Sequence, residues 1–245
     1  MARSVVISQS MYFPWVGLLE QIRLSDYFVH YDDVQYSKGG FTNRVQIKSS
    51  QGVRWMTIPL RRVRFGDLLN QITTDEKYDW RYQHQVMLES AYANAPFLND
   101  MLTLVRNVHS LETKKLSDLA RASVLELSKY FGIYEGKEFI DSSELGVSGS
   151  KSSRVHDIVV KLRGTHYITG HGAKNYLDHE LFEKSGIAVH YMAYETVKYS
   201  QLHDKFTPFV SALDLVANLG PKGRDIICSS TVPWRQFISD TKLRE

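Results

Sequence analysis

The chain has 245 residues, and its 30 lysines and arginines stand against 27 aspartates and glutamates, a formal net charge of +3. So even a balance, with no long basic run, excludes a dedicated nucleic-acid binder. The single cysteine, Cys228, excludes an internal disulfide framework and fits a reducing compartment. No apolar run approaches a membrane span, and the opening "RSVVISQS" lacks the apolar core of a signal peptide, so the expected location is cytoplasmic.

In chain order, "SVVIS" (4–8) reads as a short buried strand, "LLEQIRLS" as a brief helix and "DYFVHY" as a second strand. This is the size of a βαβ unit. "RVQIK" and "VRWMTIPL", separated by "SSQG", alternate in polarity and predict a β-hairpin. Residues of about 79–131 read as a helical insertion. Its first helix carries Trp80, His84, Leu88, Ala91, Tyr92 and Ala95 on one face. Two amphipathic helices follow, the second stopped by Gly132.

Beyond that point the pattern alternates: strand "EFIDS", helix "SSRVHDIVVKLRG", strand "HYITG", helix "AKNYLDHELFEKSG", strand "IAVHYMAY". Thr207 and Pro208 look like the N-cap and first residue of a helix running to Asn218. The expected fold class is α/β, a mostly parallel sheet flanked by helices on both faces, in one domain over 1–245. Ligands of such sheets bind beyond the carboxyl ends of the strands. The segments leaving those ends are rich in Gly, Tyr, Gln, Lys and paired acids.

The densest of them is "YDDVQYSKGGFTNR", residues 31–44. Neighbouring residues in extended chain point to opposite faces, so Asp32 and Asp33 are not expected to serve one site from within a strand. Either could be a general base, a metal ligand or an acceptor for a sugar hydroxyl; the plainer role is Asx-type loop capping. Lys38 and Arg44 suit a phosphate or carboxylate ligand, or else pair with Asp32 or Asp33. "TGHGAK" places Gly170, His171, Gly172 and Lys174 before an expected helix start, where free amides attract anions. It matches neither a P-loop nor GxGxxG. His84 is either a core histidine or, if its helix lines the pocket, a catalytic one. The histidines show no zinc spacing, so no structural zinc is expected and no metal ligand is assigned. Cys228 reads as a buried, inert thiol.

"ISQSMYFPWVGLLEQIRLSDYFVHYDDVQYSKGGFTNR" resembles the opening signature of the WbqC-like protein family. The matching positions are Gln9, Tyr12, Pro14, Trp15, Gly17, Asp26, Phe28, Asp32 to Tyr36 with Gln35 among them, Asn43 and Arg44. The similarity continues through "WMTIPL", the His84 helix, "GHGAKNYLDHELFEKSGIAVHY" and "YSQLHDKFTPFVSALDLVANLG", which holds Tyr199 and Gln201. It departs at His171 and in "DLVANLG", where the family more often has Phe before the Asn.

The resemblance implies a role in bacterial surface-polysaccharide (O-antigen) assembly. The reaction it suggests is acyl or aminoacyl transfer to an amino sugar carried on a nucleotide. In that scheme Asp33 or His84, with Asp32 nearby, takes a proton from the attacking amine. Lys38 and Arg44 hold a phosphate, Tyr12 and Trp15 pack on a ring, and the "GHGAK" amides stabilise an anion. No cofactor is firmly implied; an acyl donor would be acyl-CoA or bound to an acyl carrier protein. The other readings are a metal-dependent glycosyltransferase and a non-catalytic sugar-nucleotide-binding protein of a biosynthetic complex.

Overall fold

A computed structural model describes residues 2–242. Its main sheet has six strands in the order β5-β2-β1-β6-β7-β8. They are β1 (Ser4–Ser8), β2 (Tyr27–His30), β5 (Glu138–Asp141), β6 (His166–Thr169), β7 (Ala188–Ala193) and β8 (Ser230–Pro233). The first five pair in parallel and β8 runs antiparallel along β7. A separate antiparallel hairpin is formed by β3 (Arg44–Ser49) and β4 (Gly52–Thr57). The helices are α1 (Val16–Leu24), α2 (Trp80–Ala91), α3 (Leu98–His109), α4 (Leu116–Tyr130), α5 (Lys151–Lys161), α6 (His179–Lys184), α7 (Ala212–Leu219) and α8 (Trp234–Lys242). This is the expected α/β class.

The alternation of the strands decides the two cores. Val6, Phe28, Ile168 and Met192 face one side, where α1, α2, α3, α4, α7 and the hairpin build the larger apolar cluster. Val5, Val29, Tyr167, Val189 and Tyr191 face the other, covered by α5, α6 and α8. One close approach requires glycine: a Cβ on Gly164 would lie 2.6 Å from Val5 Cγ2, so the end of α5 can sit down on β1 only without a side chain there.

Four local expectations change. The last expected helix begins at Ala212, not Thr207. Ser211 is its N-cap, accepting from Leu213 N at 3.2 Å, and its hydroxyl donates to Phe13 O at 2.8 Å. Phe209 just before it has φ 64, which no right-handed helix accommodates. "HGAKN" (171–175) forms a 3-10 turn, and α6 starts only at His179, capped by Asp178. "GHGAK" therefore does not present an α-helix N-terminus. Cys228 is exposed rather than buried, because the extended segment alternates and puts Ile227 and Ser229 inward. Strand β8 and helix α8 were not expected.

Because β1, β2, β5, β6 and β7 run in parallel, their carboxyl ends, Ser8, His30, Asp141, Thr169 and Ala193, open onto one edge. The chain order reverses between β1 and β6, the topological switch point where ligands of open α/β sheets bind.

Candidate functional site

Residues 31–44 leave β2 at this edge, and their two acids part company at once. Asp32 turns inward and is fully buried. It accepts from Ser10 N at 2.9 Å, Ser10 Oγ at 2.8 Å and Arg121 Nε of α4 at 2.6 Å. Arg121 also bonds Asp141 at the end of β5. Ser10 Oγ lies 2.8 Å from His30 Nδ1. Burial raises the Asp32 carboxyl above its ordinary range against the pull of Ser10 and Arg121. Burial and then the Arg121 charge lower His30 to about 4. This network ties β1, β2, β5 and α4 together and is closed to solvent at Asp32.

Asp33 points the other way. Its carboxylate pairs with Arg154 Nη2 of α5 and accepts from Ser142 Oγ. Arg154 Nε donates to Val147 O at 3.0 Å, and its guanidinium stacks 5.0 Å over Tyr31. These groups open on a cavity of about 420 Å³, where Tyr31, Asp33, Gln35, Lys151, Arg154 and Tyr176 converge.

The rest of the segment lines a second cavity, of about 520 Å³, with Tyr36, Lys38, Asn43 and Arg44 facing Arg61 and Arg62. Its floor is fixed: Tyr36 donates to Asn43 Oδ1 at 2.8 Å, and Asn43 Nδ2 donates to Ile58 O at 2.9 Å. Arg44 Nε bonds Gly40 O at 3.2 Å while the guanidinium lies 4.2 Å over the Trp55 ring. Among the described residues no carboxylate lines this cavity. Asp32 and Asp33, the acids nearest in sequence, are held by Arg121 and Arg154 instead. The segment is thus a wall between two concavities, each of a size that holds small ligands, roughly 300–1,000 Å³.

Other expected site residues lie elsewhere. Tyr12 and His84 are buried with His109 under Trp80: Tyr12 Oη is 3.2 Å from His84 Nδ1 and 2.6 Å from His109 Nε2, and His84 Nε2 is 3.0 Å from Thr57 O. Trp15 covers the first turn of α1, where a Cβ on Gly17 would sit 2.1 Å from its ring. It packs on Tyr194 and Phe209 beside an apolar cavity of about 60 Å³. His171 follows Gly170, sets Nε2 2.7 Å from Met192 O and packs on Phe237; Gly172 and Lys174 continue that turn. Tyr199 donates to buried Asp214 at 2.8 Å and accepts from Gln201 at 3.0 Å, which braces α7. Gln9 stays on the β1–α1 loop. Of the expected residues, Asp33, Gln35, Lys38, Asn43 and Arg44 line the two cavities; Asp32, His84, Tyr12, Trp15, residues 170–174, Tyr199 and Gln201 do not.

Sequence reasoning missed Arg61, Arg62, Lys151, Arg154 and Tyr176. Two signals were present. Residues 34–66 hold seven cations and no acid, and Arg154 sits in the apolar stripe of α5 beside Val155 and Ile158.

The model of the WbqC-like protein family matches residues 9–226. A relative from Mycobacterium tuberculosis (strain ATCC 25618 / H37Rv), described as uncharacterized protein Rv1507c, is 31% identical over 228 residues, covering 92% of this chain and 97% of the relative. Among solved structures, the crystal structure of CmiS6 aligns with 80% of this chain and 58% of its own at 10% identity and a TM-score of 0.20, too slight a likeness to carry anything over.

Proposed function

The chain belongs to the WbqC-like protein family, and from that premise we propose that it binds a nucleotide-linked amino sugar and transfers an acyl or aminoacyl group to it in bacterial surface-polysaccharide assembly. The observation that carries this reading is the cavity of Lys38, Arg44, Arg61 and Arg62 without a carboxylate. Four cations that no acid among the described residues neutralises create a strong preference for an anion, and Arg forks suit phosphate oxygens. The diphosphate sits there. Across the wall, Asp33 is the side chain placed to accept the proton of the sugar amine as it attacks the acyl carbonyl. Its carboxylate retains lone pairs beyond those used by Arg154 and Ser142. Arg154 and Lys151 face the same cavity and suit the developing oxyanion. As the tetrahedral adduct collapses, the donor's leaving group departs with the electron pair and the amide remains.

A shared divalent cation on Asp32 and Asp33 fits less well, since the two carboxylates diverge and each is held by an arginine.

Calorimetry with UDP- and dTDP-linked amino sugars tests the binding step. Arg44→Ala is expected to weaken binding by about 1.5–3 kcal/mol, the scale of a hydrogen bond to a charged group, or tenfold and upward. Unchanged affinity would remove the cavity from the reading. The transfer step is read as a mass increase of the sugar nucleotide in the presence of an acyl donor. Asp33→Asn should lower its rate by about 10² or more, with affinity little changed. Wild-type turnover in Asp33→Asn would return Asp33 to ion pairing alone.

A further inference from the structure

The rim of the cationic cavity has a feature that the sugar reading leaves unused. Phe65 is 96% exposed, the most solvent-exposed large apolar side chain among the described residues. It stands at a loop tip beside Arg64, just after Arg61 and Arg62. Trp55, on which Arg44 stacks, and Phe41 are 39% and 45% exposed, with ring centroids 5.6 Å apart. Both the Phe65 loop and this pair are tied to residues that line the cavity: Tyr36 N bonds Asp67 O at 2.9 Å, anchoring the Phe65 loop, and Arg44 stacks on Trp55.

The charge is as lopsided as the apolar surface. Of the seven cations in residues 34–66, Lys38, Arg44, Arg61 and Arg62 line the cavity and Arg64 adjoins it, whereas Lys48 is buried and Arg54 lines another cavity; the acid next in sequence, Asp67, accepts from Arg64 N at 2.7 Å. Those cations outnumber the one carboxylate beside them and bias this face toward a negative surface.

We propose that this face docks on an anionic phospholipid bilayer, with Phe65 entering the headgroup–acyl boundary and the surrounding arginines resting among the headgroups. An isolated aromatic tip flanked by arginines needs no shaped receptor, only a layer that is apolar below and anionic above. A folded partner would need a pocket for Phe65. Trp and Phe next to cations are the side chains that settle at that boundary. The inference goes beyond the sugar reading and does not depend on it, because Arg64 and Phe65 line neither cavity.

Sedimentation of the full chain with phosphatidylcholine vesicles, with and without phosphatidylglycerol, is the test. Binding is expected only with phosphatidylglycerol, at low salt, and is released by high salt. Phe65→Ser should reduce the partition coefficient about tenfold, and Arg64→Ser about fivefold. Phe65→Trp should keep it. Both positions are exposed, so the thermal melts and the calorimetric affinity for nucleotide sugar should stay at wild-type values, which separates failure here from failure of the sugar reading. Three results would overturn the proposal: no phosphatidylglycerol-dependent binding at low salt, wild-type partition in Phe65→Ser, or binding of single-stranded RNA under conditions where vesicles sediment no protein.

Discussion

Arg121→Met is expected to lower the unfolding free energy by about 3–5 kcal/mol, the usual cost of removing one partner from a buried ion pair. Among the described residues the guanidinium is the single cation serving both Asp32 and Asp141. Asp32 has no solvent exposure, so it has no water to fall back on once the arginine is gone. Methionine fills most of the space and helix α4 accepts it, so the loss isolates the charge. For a chain of this length the melting temperature should fall by roughly 10 °C. Arg121→Lys should recover only part of the loss, because one ammonium cannot reproduce a fork directed at two carboxylates. Asp32→Asn should cost less than Arg121→Met, since it leaves Arg121 paired with Asp141. The damage also reaches the wall. Asp32 O accepts from Asn70 N at 2.8 Å, and Val34 O from Leu69 N at 2.9 Å, so the 31–44 segment is hung on the strand end that this network holds. Urea unfolding of Arg121→Met checks this; a loss under about 1 kcal/mol, the worth of a surface pair, would mean that the network is incidental.

That network also shows where sequence reasoning stops. The parallel strands were legible because each is a short apolar run bounded by turn residues, and the helices between them because Val155, Ile158 and Val159 repeat at helical spacing. Strand β8 was not, since "STVP" is a polar, half-exposed edge strand with no alternation to find. The start of α7 was misplaced because Thr207-Pro208 obeys capping preference, whereas the backbone bridge between Trp15 and Ser211 fixes where the extended chain must end. At the candidate site the 31–44 segment was visible, as a charge cluster after a buried strand. Its electrostatic sense was not. Asp32 finds Arg121 at a separation of 89 residues and Asp33 finds Arg154 at 121, so the nearby Lys38 and Arg44 stay unneutralised. Local pairing was the natural expectation; long-range pairing is what leaves a cationic cavity.

The Tyr12, His84 and His109 cluster supports the second large prediction, acid lability between about pH 6.5 and 4. One arrangement of protons satisfies every contact with both rings neutral. His84 Nε2–H donates to Thr57 O, Tyr12 donates to His84 Nδ1, and His109 Nε2–H donates to Tyr12 Oη. A proton added at His84 Nδ1 would face the tyrosine hydrogen and break that chain. Burial lowers His84 to about 4, and burial, then the charge on His84, lowers His109 to about 3. His30, in the Asp32 network, is also lowered to about 4 by burial and Arg121. In the unfolded chain all three titrate near 6.5. Between those values the unfolded state binds more protons than the native one, so stability is fully present above pH 6.5 and is lost as the pH falls toward the folded values. At pH 5 each histidine costs about 2 kcal/mol. The sum, about 6 kcal/mol, is an upper bound because His84 and His109 titrate as a pair. It is comparable to the whole stability of a domain, about 5–15 kcal/mol. Asp32 and Asp214, whose carboxyls burial raises, oppose the trend as the pH falls through their raised values. Urea unfolding at pH 8, 6.5, 5.5 and 4.5 should therefore show the midpoint concentration falling steeply below pH 6.5. His84→Gln, which cannot charge, should flatten that fall even where it lowers stability at pH 8. Stability that is level from pH 7 to 5, in the wild type, would show that these histidines are hydrated and free to protonate.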